Sequence, residues 1–209
     1  MIPAVIRILL ADDHKIVRDG LKGILAAASD FEVAGEAANG DEALALVRAN
    51  DYDVAMLDLS MPGLSGIDLI KRLKAEKPGL RLLVLSMHGE QQYAARALKA
   101  GASGYLTKDS AAEQLVSVLR KIAAGGVHVS EAAAVSLMAS GTQSQRELSD
   151  REFEVLRLLV SGLGPTEIGD RLHLSVKTVS THKARILEKL GLGSTAELVR
   201  YAMEHKLLP

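Results

Sequence analysis

The chain has 209 residues, 48% of them hydrophobic, with no cysteine and no tryptophan, and its formal net charge at pH 7 is −1. That length fits one large or two small domains with hydrophobic cores, and the lack of cysteine excludes disulfides and thiol chemistry. The near-neutral charge excludes a globally basic nucleic-acid binder, although not a local basic patch. Because no apolar run is long enough to cross a bilayer and no signal-peptide pattern opens the chain, we expect a soluble cytoplasmic protein without membrane partners.

The first 126 residues alternate strand and helix patterns. Nearly continuous apolar runs, which strands buried on both faces require, occupy residues 5–10, 54–57 and 80–85, and two shorter strands are predicted at 32–36 and 103–106. Helical spacing of apolar residues separates them, in one case after a capping box at 39–42. The pattern predicts an α/β doubly wound, flavodoxin-like domain with a five-stranded parallel sheet.

Charged residues follow the ends of three of these strands. Asp12 and Asp13 come after the first strand, Asp58 ends the third, and Lys108 ends the fifth. Since ligands of doubly wound sheets bind beyond the carboxyl ends of the strands, these side chains should share one edge. Carboxylates so close together need raised pKa values or a bound cation, and oxygen ligands favour Mg²⁺. Asp12 and Asp13 alone could equally be helix caps. Together with Asp58 and Lys108 they are better explained as an ion site.

The character of the chain changes after residue 126. A helix predicted to start at a capping box, 110–113, runs to about residue 124; a short alanine-rich helix follows at 131–139, and residues 140–146 read as a polar linker. From residue 148 onward the pattern predicts four helices, at 150–161, 165–171, 176–190 and 195–205, and no strand. Typical capping or first-turn residues open them: Ser149, Pro165, Ser175 and Ser194. We therefore predict a domain at 1–126, a linker with a short helix at 127–147, and an all-α domain at 148–209.

The second and third of these four helices have the spacing of a helix-turn-helix. Residues 173–175 alone join them, and Val179, Ile186 and Leu190 form the inward stripe of the second helix of the pair. Basic residues exceed acidic ones by three over residues 175–191. A basic amphipathic helix is usually only a solvated face, but the preceding helix and tight turn favour entry into a DNA groove. The exposed side would carry Lys177, Thr178, Ser180, Thr181, His182, Lys183 and Arg185.

Both halves resemble a known family, the response regulators of bacterial two-component systems, in the NarL/FixJ branch with a LuxR-type helix-turn-helix domain. The resemblance covers essentially the whole chain. Several independent matches in the right order make it specific. They are Asp12, Asp13, Asp58, Met61, Pro62, Gly63, Gly66, Ser86, Tyr105, Lys108, the run 148–152, Thr178, Val179, His182, and Lys189 to Gly191.

For the first domain, the resemblance implies a phosphoacceptor, or receiver, role. Asp58 would take a phosphoryl group from a cognate histidine kinase. The metal ligands would be Asp13, Asp58 and the backbone carbonyl of Ser60, with Asp12 acting directly or through water, and Lys108 would pair with the phosphoryl oxygens. The hydroxyl of Ser86 would follow the phosphate while Tyr105 swings inward. We interpret His14 and His88 as residues of the pocket rim, since magnesium sites rarely use imidazole.

For the second domain, the resemblance implies binding of double-stranded DNA and regulation of transcription rather than enzymatic activity. A homodimer is expected after phosphorylation, and contact with RNA polymerase is possible. Position along the helix suggests that Lys177 and Lys189 hold phosphates near its ends, while residues at its centre meet base edges. The full set of expected DNA-contacting residues is Lys177, Thr178, Ser180, Thr181, Lys183, Ala184, Arg185 and Lys189.

Four departures from the family pattern limit what can be carried over. Asp109 follows Lys108 where many receivers have proline. Residues 164–166 read Gly-Pro-Thr instead of Ser-Asn-Lys, which removes one potential phosphate contact, and Gly169 replaces the usual alanine. Ser180 stands where many relatives have lysine, so base preferences cannot be transferred.

Two other functions remain open from the sequence. One is a receiver that is never phosphorylated and is controlled by dimerisation or a protein partner; a missing carboxylate would support it, and none is missing. The other is a small flavodoxin-like enzyme with a helical accessory domain, although no catalytic set beyond the acidic residues is present. Leu198, Tyr201 and Ala202 are either a dimer surface or residues that close the core of the helical domain.

Overall fold

A computed structural model describes residues 5–64, 66–86, 91–130, 134 and 148–205. Its single sheet has five strands, all parallel, in the order β2-β1-β3-β4-β5. The predicted doubly wound α/β domain is therefore confirmed. The strands are β1 (Ile6–Ala11), β2 (Phe31–Ala37), β3 (Val54–Asp58), β4 (Arg81–Ser86) and β5 (Gly104–Thr107).

Helices cover both faces of the sheet. They are α1 (Lys15–Ala26), α2 (Gly40–Ala49), α3 (Gly66–Glu76), α4 (Gln91–Lys99) and α5 (Lys108–Ala123). Side chains alternate across a strand, so Ile8 and Leu10 pack with α1 and α5 while Leu9 and Ala11 pack with α2, α3 and α4. Burial on both faces explains why the strands read as continuous apolar runs. The same burial holds the strand ends, and the charged residues that follow them, in fixed positions.

The start of α5 differs from the prediction of a capping box at 110–113. The helix begins at Lys108, and its N-cap is Thr107, whose side chain accepts a hydrogen bond from the backbone amide of Ser110. The last residue of β5 thus caps the helix directly, and no loop separates strand from helix. This direct transition matters for the site because it places Lys108 at the first helical position, against the sheet edge.

The second half of the described chain is helical, as predicted. Its helices are α6 (Asp150–Val160), α7 (Pro165–Leu172), α8 (Val176–Leu190) and α9 (Thr195–Glu204). Ser149 and Glu152 form the expected capping box of α6, and the Ser175 side chain caps α8. The chain turns between α7 and α8 at His173, which adopts a left-handed conformation with φ of 51°. The predicted helix at 131–139 and the linker at 140–146 lie outside the described residues, apart from Ala134.

The last helix closes the core of its own domain. Leu198 and Ala202 are completely buried, and Tyr201 packs partly buried beside them against the same core. The expectation that these residues form a dimer surface is therefore wrong for Leu198 and Ala202, and the alternative, that they close the helical core, is confirmed. In the described part of the chain, no helix combines the length and the apolar character needed to traverse a bilayer.

Candidate phosphoacceptor site and DNA-binding helix

The acidic residues and the lysine meet at the carboxyl edge of the sheet, as predicted. Asp12 and Asp58 are both 2% exposed. The Nζ atom of Lys108 lies 2.6 Å from Oδ2 of Asp12 and 2.9 Å from Oδ2 of Asp58. Asp13, the next residue, is more accessible, and its Oδ1 atom lies 2.9 Å from Nδ1 of His14. A buried cluster with three carboxylates and one ammonium carries excess negative charge.

The ammonium of Lys108 stabilises this cluster. Burial alone would lower the pKa of Lys108, but hydrogen bonds to Asp12 and Asp58 outweigh burial and raise the pKa above its usual value. Lys108 is therefore protonated at neutral pH. One ammonium cannot neutralise three carboxylates, so the pocket retains an attraction for a further cation.

The donor atoms suit a divalent metal ion. One ligand atom from each of Asp12, Asp13, His14 and Asp58 can be chosen so that all lie within 4.8 Å of one another. Carboxylate oxygens at a strand edge fit Mg²⁺, which demands hard ligands and keeps several waters. His14 belongs to this group geometrically, yet it is largely exposed and contacts Asp12 and Asp13 through Nδ1. These contacts are consistent with the rim position that the sequence suggested; His88 lies outside the described residues.

Backbone and side chain fix the orientation of Asp58. Its Oδ1 atom accepts a hydrogen bond of 2.9 Å from the amide of Ser60, while Oδ2 faces Lys108. The carbonyl oxygen of Ser60, the predicted metal ligand, accepts a hydrogen bond of 2.6 Å from Nη2 of Arg171, in the helical half of the chain. No pattern in the sequence predicted this last contact.

The two predicted switch residues lie at the same sheet edge. Ser86 ends β4, is 4% exposed and pairs in register with Thr107 of β5. Tyr105 is 7% exposed. An inward swing is therefore not needed to bury Tyr105 in this conformation. The switch role of both residues stays a prediction.

Helix α8 exposes the face that was predicted to meet DNA. Val179 and Ile186 are fully buried in the helical core, and Leu190 packs partly buried against it. The hydroxyls of Ser180 and Thr181 each donate a 2.9 Å hydrogen bond to a carbonyl four residues earlier in the helix. The exposed side chains are Lys177, Ser180, Thr181, Ala184 and Arg185, and those of Thr178 and Lys183 are half-buried.

Lys189, at the end of α8, has a partner within its own domain. Its Nζ atom lies 2.6 Å from Oε2 of Glu152. Burial alone would raise the pKa of Glu152, but the hydrogen bonds from Lys189 and Ser149 lower it, so the carboxylate is ionised. A DNA phosphate would have to compete with Glu152 for this ammonium. We therefore expect Lys189 to contribute less to DNA binding than Lys177.

The two halves of the chain contact each other through a surface that the sequence did not reveal. Asp150, at the start of α6, accepts hydrogen bonds from Lys71 of α3 at 2.6 Å and from Arg96 of α4 at 3.0 Å. The rings of Tyr93 and Phe153 stack with 5.7 Å between centroids. We call this surface, with the contact from Arg171 to Ser60, the interdomain contact.

A buried carboxyl group lies within the interdomain contact. Glu154 of α6 is 5% exposed, and burial raises its pKa to about 7 despite a 2.8 Å ion pair with Arg151. Gly66, at the start of α3 with φ of +60°, makes room for it, because a side chain at residue 66 would overlap the Glu154 carboxyl group. The absence of a side chain at Gly66 thus allows the two halves to approach closely.

Comparison with known proteins assigns each half. Residues 8–120 match the model of the response regulator receiver domain, and residues 146–202 match that of the bacterial regulatory proteins of the luxR family. The oxygen regulatory protein NreC of Staphylococcus carnosus is 39% identical over 214 residues, which cover 97% of this chain and 99% of NreC. The transcriptional regulatory protein MctR of Rhizobium johnstonii is 36% identical over 204 residues, which cover 97% of this chain and 95% of MctR.

Solved structures of the response regulator RcsB share the architecture of both halves. One, of RcsB from Salmonella typhimurium, has a TM-score of 0.79 at 30% identity and covers 97% of this chain and 98% of RcsB. A complex of RcsB with DNA has a TM-score of 0.61 at 31% identity and covers 95% of this chain and 98% of that RcsB chain. The match of both family models, together with full-length relatives above 30% identity, shows that the chain belongs to the two-component response regulators of the NarL/FixJ type, with a receiver domain followed by a LuxR-type DNA-binding domain.

Proposed function

We propose that this chain regulates transcription in response to phosphorylation of Asp58 by a histidine kinase. The single observation that carries the proposal is the buried Asp58 carboxylate, held by Ser60 and Lys108 at the edge where Asp12 and Asp13 also lie. An oxygen of Asp58 would attack the phosphorus of a phosphohistidine. The new O–P bond gives an acyl phosphate, the P–N bond breaks, and the imidazole leaves.

The roles of the surrounding residues follow from charge. A bound Mg²⁺ would neutralise charge on the phosphoryl oxygens during transfer. Asp13, Asp58 and the carbonyl of Ser60 would hold that ion, with Asp12 acting directly or through water. Lys108 would move its hydrogen bond from the Asp58 carboxylate to the phosphoryl group. The buried hydroxyl of Ser86, at the same edge, would then follow the phosphoryl group, and Tyr105 would respond to the movement of Ser86.

The DNA-binding half would act through α8. We propose that α8 enters the major groove while α7 lies across the backbone, because the turn at His173 and the exposed basic face suit this arrangement. The RcsB–DNA complex supports it by analogy. We propose the division into a receiver at 1–126, a linker at 127–147 and a DNA-binding domain at 148–209; the family matches at residues 8–120 and 146–202 support a two-domain chain.

We further propose a homodimer on DNA and action in the bacterial cytoplasm, with RNA polymerase as a possible later partner. Control without phosphorylation would be favoured by a missing pocket residue. Asp12, Asp13, Asp58 and Lys108 are all present, Lys108 contacts Asp12 and Asp58, and the three carboxylates lie close enough to share an ion, so this alternative has no observation of its own.

Intact-mass measurement tests the proposal. Incubation with a small-molecule phosphodonor and Mg²⁺ should add one phosphoryl group to the wild-type chain and none to Asp58→Asn. The matched control is Asp51→Asn, which changes an exposed aspartate paired with Lys77 far from the pocket and should be phosphorylated normally. Equal phosphorylation of Asp58→Asn and the wild type would refute Asp58 as the acceptor.

A further inference from the structure

The contact of Arg171 with Ser60 links the DNA-binding domain to the proposed metal site. Nη2 of Arg171, on α7, donates a 2.6 Å hydrogen bond to the carbonyl oxygen of Ser60 across 111 residues of sequence. Among the described residues no carboxylate forms an ion pair with Arg171. Its guanidinium therefore uses the Ser60 carbonyl as its acceptor in the receiver. The same oxygen is one of the proposed ligands of Mg²⁺.

A magnesium ion and this guanidinium would disfavour each other. Mg²⁺ binds oxygen at about 2.0–2.1 Å, and the guanidinium nitrogen is 2.6 Å from the same oxygen, so the two cations could be no more than about 5 Å apart. Like charges at that separation in a partly buried site repel strongly. Binding of Mg²⁺ should therefore weaken the hydrogen bond from Arg171, and the hydrogen bond should weaken binding of Mg²⁺.

The Arg171 contact is one end of a wider contact. At the other end, Asp150 is held by Lys71 and Arg96, and the guanidinium of Arg96 lies 4.6 Å from the ring centroid of Phe153. These groups hold α6 and α7 against the receiver as a unit. Release of Arg171 from Ser60 thus removes an anchor of the whole interdomain contact, not only an isolated surface bond.

We propose that Arg171 competes with Mg²⁺ for the Ser60 carbonyl, so that metal binding in the acidic pocket loosens the interdomain contact even before phosphorylation. The inference rests on the proposed function, because it uses the proposed magnesium site. We call the chain closed when the interdomain contact is formed and open when it is not. Coupling of this kind is reciprocal: the ratio of the Mg²⁺ affinities of the open and closed chains is also the factor by which bound Mg²⁺ shifts the equilibrium toward the open chain.

Calorimetric titration of Mg²⁺ into the full chain, without phosphodonor, tests the competition. Arg171→Ala should bind Mg²⁺ about fivefold or more tightly than the wild type, the low end of ordinary coupling between sites. The matched control is Arg200→Ala, which removes the same charge from an exposed position on α9 and should leave the affinity unchanged. Asp150→Asn, which loosens the contact without touching the carbonyl, should also tighten binding. If Asp150→Asn opens the contact yet binds Mg²⁺ like the wild type, the effect of Arg171 is local charge alone and the proposed coupling is wrong.

A distance measurement supplies the second readout. The natural chain has no cysteine, so Ala49→Cys on α2 and Ala196→Cys on α9, both exposed, give a specifically labelled pair across the two domains. Mg²⁺ alone should broaden and lengthen the label distances in the wild type, and Arg171→Ala should show the open distribution before Mg²⁺ is added. Equal metal affinity in all variants would refute the competition and leave phosphorylation of Asp58 intact. No metal binding by any of the proteins would instead refute the magnesium site itself.

Discussion

Lys108 shows how one residue sets the resting charge of the pocket. Its ammonium lies between Asp12 and Asp58, with 9% of the side chain exposed. Removing one partner of a buried ion pair usually costs more than the pair contributes, because the other charge stays buried and unpaired. The arrangement holds the Asp58 carboxyl group oriented while leaving Asp13 more accessible at the rim. A phosphoryl group on Asp58 would present new oxygens to the same ammonium.

Glu154 should make stability depend on pH. Its pKa of about 7 in the folded chain lies above the ordinary glutamate value of 4.5, so the folded form binds more protons between these values. The free energy of unfolding should therefore fall as pH rises from about 4.5 to about 7, by about 3.5 kcal/mol at most, since one pKa unit corresponds to about 1.4 kcal/mol. Glu154→Gln, which is neutral at every pH, should flatten this dependence and unfold at a higher temperature than the wild type at pH 8.

Thermal unfolding at pH 5.5 and pH 8 measures this effect. A gain of 1 kcal/mol corresponds to a rise of about 2–4 °C in Tm for a chain of this size. The matched control, Glu188→Gln, alters an exposed glutamate on α8 and should keep the pH dependence of the wild type. An unchanged pH dependence in Glu154→Gln would mean that Glu154 is ionised inside the interdomain contact at neutral pH.

At the scale of the secondary-structure elements, local patterns predicted most of the fold. The spacing of apolar residues and the capping residues predicted every strand of the sheet and the bounds of α8. Strands buried on both faces and capped helices can be recognised in this way because each leaves a continuous local pattern in the sequence. The pocket was predictable for the same reason: residues after parallel strands must meet at one edge. The start of α5 was misplaced because Thr107 can cap a helix while it still ends a strand, and the sequence does not distinguish that case from a loop.

Contacts between distant elements left no such signal. Arg171 lies on a short helix and reads as an ordinary surface residue, yet it reaches Ser60. Leu198 and Ala202 form an apolar stripe that fits a dimer surface as well as a core, and only packing against the other helices decides between them. Periodicity identifies an apolar face but does not name the element that covers it.

We expect different residues of helix α8 to contact the phosphates and the bases of DNA. Lys177→Ala, at the exposed first turn, should weaken binding to specific and scrambled duplexes alike and lower the salt slope by about one unit. Lys183→Ala and Thr181→Ala, at the centre, should cost about 1–3 kcal/mol for each lost base contact on the specific duplex only. Binding titrations at several salt concentrations measure both quantities.

Two comparisons make the α8 experiment decisive. Lys177→Ala and Lys183→Ala each remove one positive charge from the same helix, so a difference between them reflects position rather than net charge. Lys189→Ala should have a smaller effect than Lys177→Ala because Glu152 already pairs with its ammonium. If Lys183→Ala and Thr181→Ala lose equal affinity for the specific and the scrambled duplex, the middle of α8 contacts DNA without reading its sequence.

At the scale of the whole molecule, the receiver holds the DNA-binding domain without covering the exposed face of α8, which we propose contacts DNA. The contacts to the receiver come from α6 and α7, through Asp150, Phe153 and Arg171, while Lys177 and Arg185 of α8 remain exposed. A chain in this state is free to touch DNA as a single subunit, with a modest basic patch that should bind weakly. In the proposed homodimer, the interdomain contact would restrict the orientation of α8 relative to the second subunit, and binding to paired half-sites would require that orientation to be correct.

Phosphorylation should therefore strengthen DNA binding by changing association rather than by uncovering α8. We expect the phosphorylated chain to form a homodimer in sedimentation experiments, and we expect its scattering profile to show separated domains, while Asp58→Asn shows neither change. Binding to a duplex with two half-sites should tighten much more than binding to a duplex with a single half-site, because two linked subunits can bind together only where two half-sites are present. Arg171→Ala, with the interdomain contact weakened, should shift part of the way toward this behaviour without phosphate. A phosphorylated protein that binds both duplexes more tightly by the same factor, with no change in sedimentation or scattering, would contradict this mechanism and point to a change within α8 itself.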